Sequence, residues 1–156
     1  ETLRRGLAAL DGPEMRLVAA SRLYATPCMP PGAGPDYVNA VAMVETALTP
    51  AATMARLHAI EAAHGRERLD RWGARTLDLD LLLLGALERR SRAPLLPHPR
   101  GHRRAFVLVP AAELVPALPW PGTGRTVGEL AAALDPAEIA ALERIGFACG
   151  GRERTP

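Results

Sequence analysis

The chain has 156 residues, 48% of them hydrophobic and 23% charged, with a formal net charge of +2. That length suffices for one domain with a core of its own, and no apolar run approaches the roughly 20 residues of a membrane span. All 19 basic residues are arginine, so neither a Walker-type phosphate loop nor a kinase strand lysine can be built.

Taken in chain order, apolar residues at helical spacing (Leu3, Leu7, Leu10) predict a helix over 2–10, stopped by Asp11-Gly12-Pro13. This amphipathic start has no cleavage site and does not read as a signal peptide. A strand is expected over 16–26, with Leu17, Ala19, Ser21 and Leu23 on one side, followed by the loop TPCMPPGAGP. A second strand over 37–48 leads to Thr49-Pro50, which opens a helix carrying Met54, Leu57, Ile60 and Glu61 and ending near His64-Gly65. A charged loop, 66–74, precedes a third strand over 75–84. The loop APLLPHPRGHRR then enters a helix over 105–114. Short helices are expected over 127–134 and 136–145, completing a single domain over 1–145, with 146–156 as a weakly ordered tail. Helix–strand–strand–helix–strand indicates an α+β domain with helices packed on an antiparallel or mixed sheet. Cys28 and Cys149 have no metal-binding spacing and read as free thiols of a cytoplasmic protein.

The densest chemistry lies in RWGARTLDLDLLLLG, residues 71–85. In a strand, alternate residues share a face, so Asp78 and Asp80 would project side by side while Leu77, Leu79, Leu81 and Leu83 face the core. An ordinary half-buried strand with one wet face is compatible with that pattern. However, the aspartates' face continues as Leu82 and Leu84, which places the carboxylates at the rim of the interior, where two parallel anions need a cation. Carboxylates so arranged suit a pair of Mg²⁺ ions of the phosphoryl-transfer kind.

Charge is distributed to match. Between residues 66 and 104 ten arginines face five acids, a local +5, whereas the other nine arginines face twelve acids, a −3. Arg66, Arg68, Arg71 and Arg75 precede the acidic pair and Arg100, Arg103 and Arg104 follow it, each with a planar fork that fits phosphate. A polyanionic ligand at one site accounts for this better than a surface that coats nucleic acid. Aromatic residues make up only 4% of the chain. Trp72, Tyr37 and Phe106 are each compatible with ordinary packing or with clamping a flat heterocycle, whose polar edge Asn39 could read. His98, between two prolines, fits a structural role and a phosphate-donor role equally.

The stretch RWGARTLDLD closely resembles the signature R-W-G-P-R-T-L-D-L-D of the 6-hydroxymethyl-7,8-dihydropterin pyrophosphokinase family of folate biosynthesis. YATP (24–27), PDYVNAVAMVET (35–46), IEAAHGRER (60–68) and PHPRGHRRAFVLVPAAELVP (97–116) agree with it. The resemblance implies a ferredoxin-like sheet and transfer of diphosphate from ATP to the pterin's hydroxymethyl group, with AMP released. By the same likeness Asp78 and Asp80 are the ligands of two Mg²⁺. Arg66, Arg68, Arg75, Arg104 and His98 contact the ATP phosphates, with Arg66 and Arg75 closest to the chemistry, and Glu61 lies at the nucleotide. Tyr37, Asn39, Trp72 and Phe106 are the pterin clamp, with backbone contacts from Thr26 and Pro27, and 27–35 and 66–74 are closing loops. Small-molecule substrates, no nucleic acid, no membrane and a monomeric state complete the expectation.

Four departures from the family stand out. Its first, interior strand, ending in Gly-Ser-Asn, precedes the point at which this chain starts, so the expected sheet lacks that strand. Ala74 replaces the signature proline, His58 stands where a polar amide is usual, and Gly101 with Arg103 replaces acidic or bulky residues. Two alternatives stay open: a truncated or degenerate family member that binds nucleotide or pterin without turnover, and a non-catalytic nucleotide- or RNA-binding module that uses the same basic loops.

Overall fold

The computed structural model describes residues 1–28, 30, 34–64 and 77–147. It is an α+β fold whose sheets are all antiparallel among the described residues. Helix α1 (Thr2–Ala9) leads to strands β1 (Met15–Ala20) and β2 (Arg22–Thr26), then β3 (Tyr37–Asn39) and β4 (Ala42–Thr46), then α2 (Pro50–His64). Beyond residue 77 come a 3₁₀ turn (Gly101–Arg103), α3 (Ala105–Leu114), β5 (Pro119–Trp120), β6 (Arg125–Thr126), α4 (Val127–Ala132), α5 (Pro136–Ala140) and β7 (Glu143–Phe147).

The expected helices form where their start signals lie. Pro50 sets the first turn of α2, whose buried residues Thr53, Leu57 and Ile60 recur at helical spacing. Thr126 and Glu129 cap α4 reciprocally, and Asp135 caps α5 ahead of Pro136. Helix α5 is shorter than the predicted 136–145: it ends at Ala140, and Glu143–Phe147 instead pairs with the free edge of β2, from Arg22↔Phe147 to Ala25↔Glu143. Ile145 is the extra residue of a bulge in that ladder, beside Gly146 at φ 140°. A strand won over a helix because β2 had an edge to fill.

Each of the two predicted long strands is bent into two. Ser21 and Val41 mark the bend: the Ser21 amide donates to the Val41 carbonyl at 2.9 Å, and the Val41 amide donates to Ser21 Oγ at 2.9 Å. A buried side-chain oxygen thus stands in for a ladder carbonyl, and the pairing β1–β4 gives way to β2–β3. Glu113 of α3 clamps the second sheet, accepting from the Arg22 amide at 2.8 Å and from the buried Tyr24 hydroxyl. Burial, and then the Glu113 carboxylate beside it, raises the Tyr24 phenol above its ordinary value. The neutral phenol is therefore the native form throughout the neutral range.

Residues 77–84 differ most from expectation. They belong to none of the three described sheets, so the predicted strand over 75–84 has no ladder among the described residues, and 75 and 76 lie outside them. A period of two orients side chains, but a strand also needs a ladder partner, and among the described residues none lies alongside. The leucines still sort as the alternation implies at first: Leu77 belongs to a core with Leu7, Leu10, Met15, Leu23, Leu57 and Ile60, and Leu79 and Leu81 pack on it. Leu82 and Leu83 pack instead on a second core of Val107, Leu108, Ala111, Trp120, Val127 and Leu130. A cavity of about 390 Å³ separates 77–84 from 38–44.

Candidate active site

Asp78 and Asp80 are exposed at the entry of this leucine run, with Leu77 buried and Leu79 half-buried behind them. Two neighbours anchor the backbone that carries them. The Leu79 amide donates to Glu61 Oε1 of α2 at 2.7 Å, and the His98 amide donates to the Leu82 carbonyl at 2.8 Å. The His98 ring is positioned as well. The Arg100 amide donates to its Nδ1 at 3.2 Å, which assigns the neutral ring's proton to Nε2, 3.9 Å from Asp80 Oδ1. A hydrogen-bond donor thus stands beside the Asp80 carboxylate.

The loop after His98 winds through the 3₁₀ turn into α3, and its path is set by packing. Gly101 is buried against the ring of Trp120, itself 1% exposed; a Cβ at Gly101 would lie 2.7 Å from that ring. Arg104 flanks α3, its guanidinium 5.4 Å from the centre of the Phe106 ring, a cation–π distance. Burial, with Arg103 adding repulsion, lowers the pKa of His102, whose Nε2 accepts from Arg103 Nε at 3.0 Å.

The opposite wall comes from β3. Asn39, Phe106, Asp78 and Asp80 line one cavity, the same space that separates 77–84 from 38–44. Asn39 Nδ2 donates to Thr26 Oγ1 at 3.0 Å, which orients the amide, and Tyr37 sits opposite Thr26 in the ladder, 53% exposed. Pro27 is exposed beside them. Buried Cys28 donates its thiol to the Gly34 carbonyl at 3.0 Å, joining the two ends of the loop expected to close. Nothing in the sequence signalled that contact. Arg66, Arg68, Arg71, Trp72 and Arg75, with the loop 66–74 and parts of 27–35, lie outside the described residues.

Among the described residues no group of three or more His, Cys, Asp and Glu side chains gathers as a metal cage. Two exposed carboxylates on a rim are nonetheless a hard-oxygen donor set of the kind Mg²⁺ uses, since that ion keeps waters and shares substrate phosphates. The residues present fit the ion.

A family model described as 7,8-dihydro-6-hydroxymethylpterin-pyrophosphokinase (HPPK) matches residues 1–116. The chain belongs to this family. Similar proteins bear the name 2-amino-4-hydroxy-6-hydroxymethyldihydropteridine pyrophosphokinase. That of Pseudomonas aeruginosa is 48% identical over 132 residues, covering 81% of this chain and 80% of its own. That of Methylorubrum extorquens is 41% identical over 140 residues, covering 88% and 84%. That of Haemophilus influenzae is 44% identical over 107 residues, covering 69% and 67%. Every site residue named above lies within the HPPK match; α4, α5 and β7 lie beyond it.

Gly101→Ala is expected to destabilise the chain by about 1–3 kcal/mol, the usual penalty for overpacking a filled core. Because the rigid indole cannot yield, the loop must move and take His98 and Arg104 with it. Chemical denaturation, with the ¹⁵N shift of His98 Nε2 as a local probe, checks this; an unchanged midpoint and shift would contradict the packing described.

Proposed function

We propose that this chain transfers diphosphate from ATP to the hydroxymethyl oxygen of 6-hydroxymethyl-7,8-dihydropterin, releasing AMP, as a step of folate biosynthesis. What carries the reading, beside family membership, is a single cavity that Asn39 and Phe106 line together with Asp78 and Asp80. Asn39 offers an oriented amide for the polar edge of a heterocycle, and Phe106 offers a ring face. Asp78 and Asp80 would hold two Mg²⁺, which when bound neutralise phosphate charge and orient the oxygens. His98 Nε2 and Arg104, with Arg66, Arg68 and Arg75, are assigned to the triphosphate, and Tyr37, Trp72, Thr26 and Pro27 to the pterin. Glu61, expected at the nucleotide, accepts from the Leu79 amide.

The hydroxymethyl oxygen attacks the β-phosphorus, the bond from that phosphorus to the α–β bridging oxygen breaks, and AMP leaves with the electron pair. The hydroxyl proton passes to solvent, with no side chain assigned as its base. Rate enhancement comes from alignment, to which His98 Nε2 contributes a hydrogen bond, and from charge neutralisation by the arginines. Incubation with ATP, Mg²⁺ and the pterin is expected to yield AMP; ADP as product would overturn the reading, and binding without product would mark a non-catalytic member. Asp80→Ala is expected to lower kcat by at least about 10²–10³-fold, the scale of losing one preorganised electrostatic group, with the far-ultraviolet circular dichroism unchanged.

The reading includes a ferredoxin-like single domain over 1–145, acting as a cytoplasmic monomer on small molecules alone. Among the described residues no helix is long and apolar enough to cross a membrane, which is compatible with this.

A further inference from the structure

Leu79 lies between the two site carboxylates, and its amide donates to Glu61 Oε1 at 2.7 Å. We propose that Glu61 is a positioning residue: it fixes the Asp78–Leu79 peptide and so sets how Asp78 and Asp80 present their carboxylates. The inference deepens the diphosphotransfer reading and rests on it. It assigns Glu61 work that differs from the nucleotide contact expected from the family likeness.

A peptide group is planar, so holding the Leu79 N–H fixes the plane that contains the Cα atoms of Asp78 and Leu79. Leu79's side chain packs on the first core, which holds the same residue from behind. Asp80 follows directly, and two residues beyond it the Leu82 carbonyl accepts from the His98 amide. Asp80 therefore sits between two backbone anchors, one from α2 and one from the His98 loop. In an ordinary sheet a neighbouring strand would supply such anchors. Residues 77–84 belong to none of the described sheets, so a side chain has taken that work.

Helix α2 delivers this carboxylate by its periodicity. Glu61 follows buried Ile60 and stands four residues after buried Leu57, at the margin of the core-facing stripe. It is half-buried, while the next two residues are exposed. A carboxylate accepting a backbone amide makes a charge-assisted bond about twice as strong as a neutral one. The anchor thus has the strength to resist the mutual repulsion of two adjacent anions.

Three variants test this. Glu61→Gln keeps an oxygen acceptor; Glu61→Ala removes it; Glu61→Met removes it while keeping most of the packing volume, and replaces the alanine variant if that fails to fold. In metal-free protein, hydrogen exchange of the Leu79 amide is expected to accelerate about 10-fold in Glu61→Ala or Glu61→Met, the worth of one hydrogen bond, and only about 3-fold in Glu61→Gln, whose neutral oxygen still accepts at about half the strength. With substrates, the acceptor-less variants should lose about 10–100-fold in kcat and in Mg²⁺ affinity measured with a non-hydrolysable ATP analogue, the usual scale for residues that orient metal ligands. Their KM for ATP at saturating Mg²⁺ should stay within about 3-fold, since uniform binding is untouched. Unchanged Leu79 exchange, a raised KM for ATP with unchanged Mg²⁺ dependence, or failure of glutamine to rescue would each overturn the proposal. The exchange measurement needs neither metal nor substrate, so it decides the anchor even if the wild-type chain makes no AMP.

Discussion

Everything at the site depends on one constraint: residues 77–84 must satisfy two hydrophobic cores at once while keeping two carboxylates at the surface. Leu77, Leu79 and Leu81 serve the core under α1 and α2; Leu82 and Leu83 serve the core under α3 and α4. Removing one such leucine would cost about 2–5 kcal/mol for a fully buried position, and less for the half-buried members. The energetic consequence is also a positional one, because the segment cannot slide or rotate without uncovering one core or the other. Asp78 and Asp80 inherit that immobility. Two anions that must stay close for function are kept so by apolar contacts behind them.

Hydrogen bonding completes what packing begins. A segment outside the described sheets has no ladder among the described residues for its amides and carbonyls, and each buried one needs another partner. Glu61 and the His98 amide meet that need at Leu79 and Leu82. Both partners are also site residues or neighbours of site residues, so satisfying the backbone and shaping the site are one event. The same economy holds at Ser21, whose hydroxyl replaces a carbonyl and lets two strands turn toward Asn39 and Tyr37.

Much of this was legible in the sequence, and the division follows interaction range. Helices α1, α2 and α3 were readable because Pro50, the Asp11-Gly12-Pro13 stop and apolar spacing act within a few residues. Alternation set Asp78 and Asp80 off from Leu77 and Leu79, but the leucines beyond them pointed to the rim of the interior, whereas both aspartates are exposed. The strand expected over 75–84 has no ladder among the described residues, because alternation says nothing of a partner. The strand Glu143–Phe147 was missed because its reason for existing is the edge of β2, more than a hundred residues earlier. The hairpin of β5 and β6 was missed too, although Gly122 and Gly124, both at positive φ, stand in a short Pro-Gly-Thr-Gly turn that could have signalled it. At the site, Asn39 and Phe106 were found through residue type, whereas the Glu61–Leu79 and Arg100–His98 contacts use backbone amides, which every residue carries.

The local excess of arginine also resolves into separate jobs. Arg89 donates to the Ala93 carbonyl and Arg90 pairs with Glu88, so these two hold the turn between Gly85 and Leu96. Arg104, beside Phe106, and Arg100, through its amide on His98, belong to the rim. What brings the second pair to the site is Trp120, from a hairpin far along the chain, whose ring fills the space a side chain at residue 101 would need. Gly101 looked like a departure from the family when read alone. Set against a buried indole it is the residue that lets the loop lie flat on the second core, and a glycine there and a tryptophan at 120 are two halves of one packing solution. That contact ties the basic rim to the same core that Leu82 and Leu83 join just beyond Asp80, while Leu77 and Leu79 tie the acidic pair to the first core.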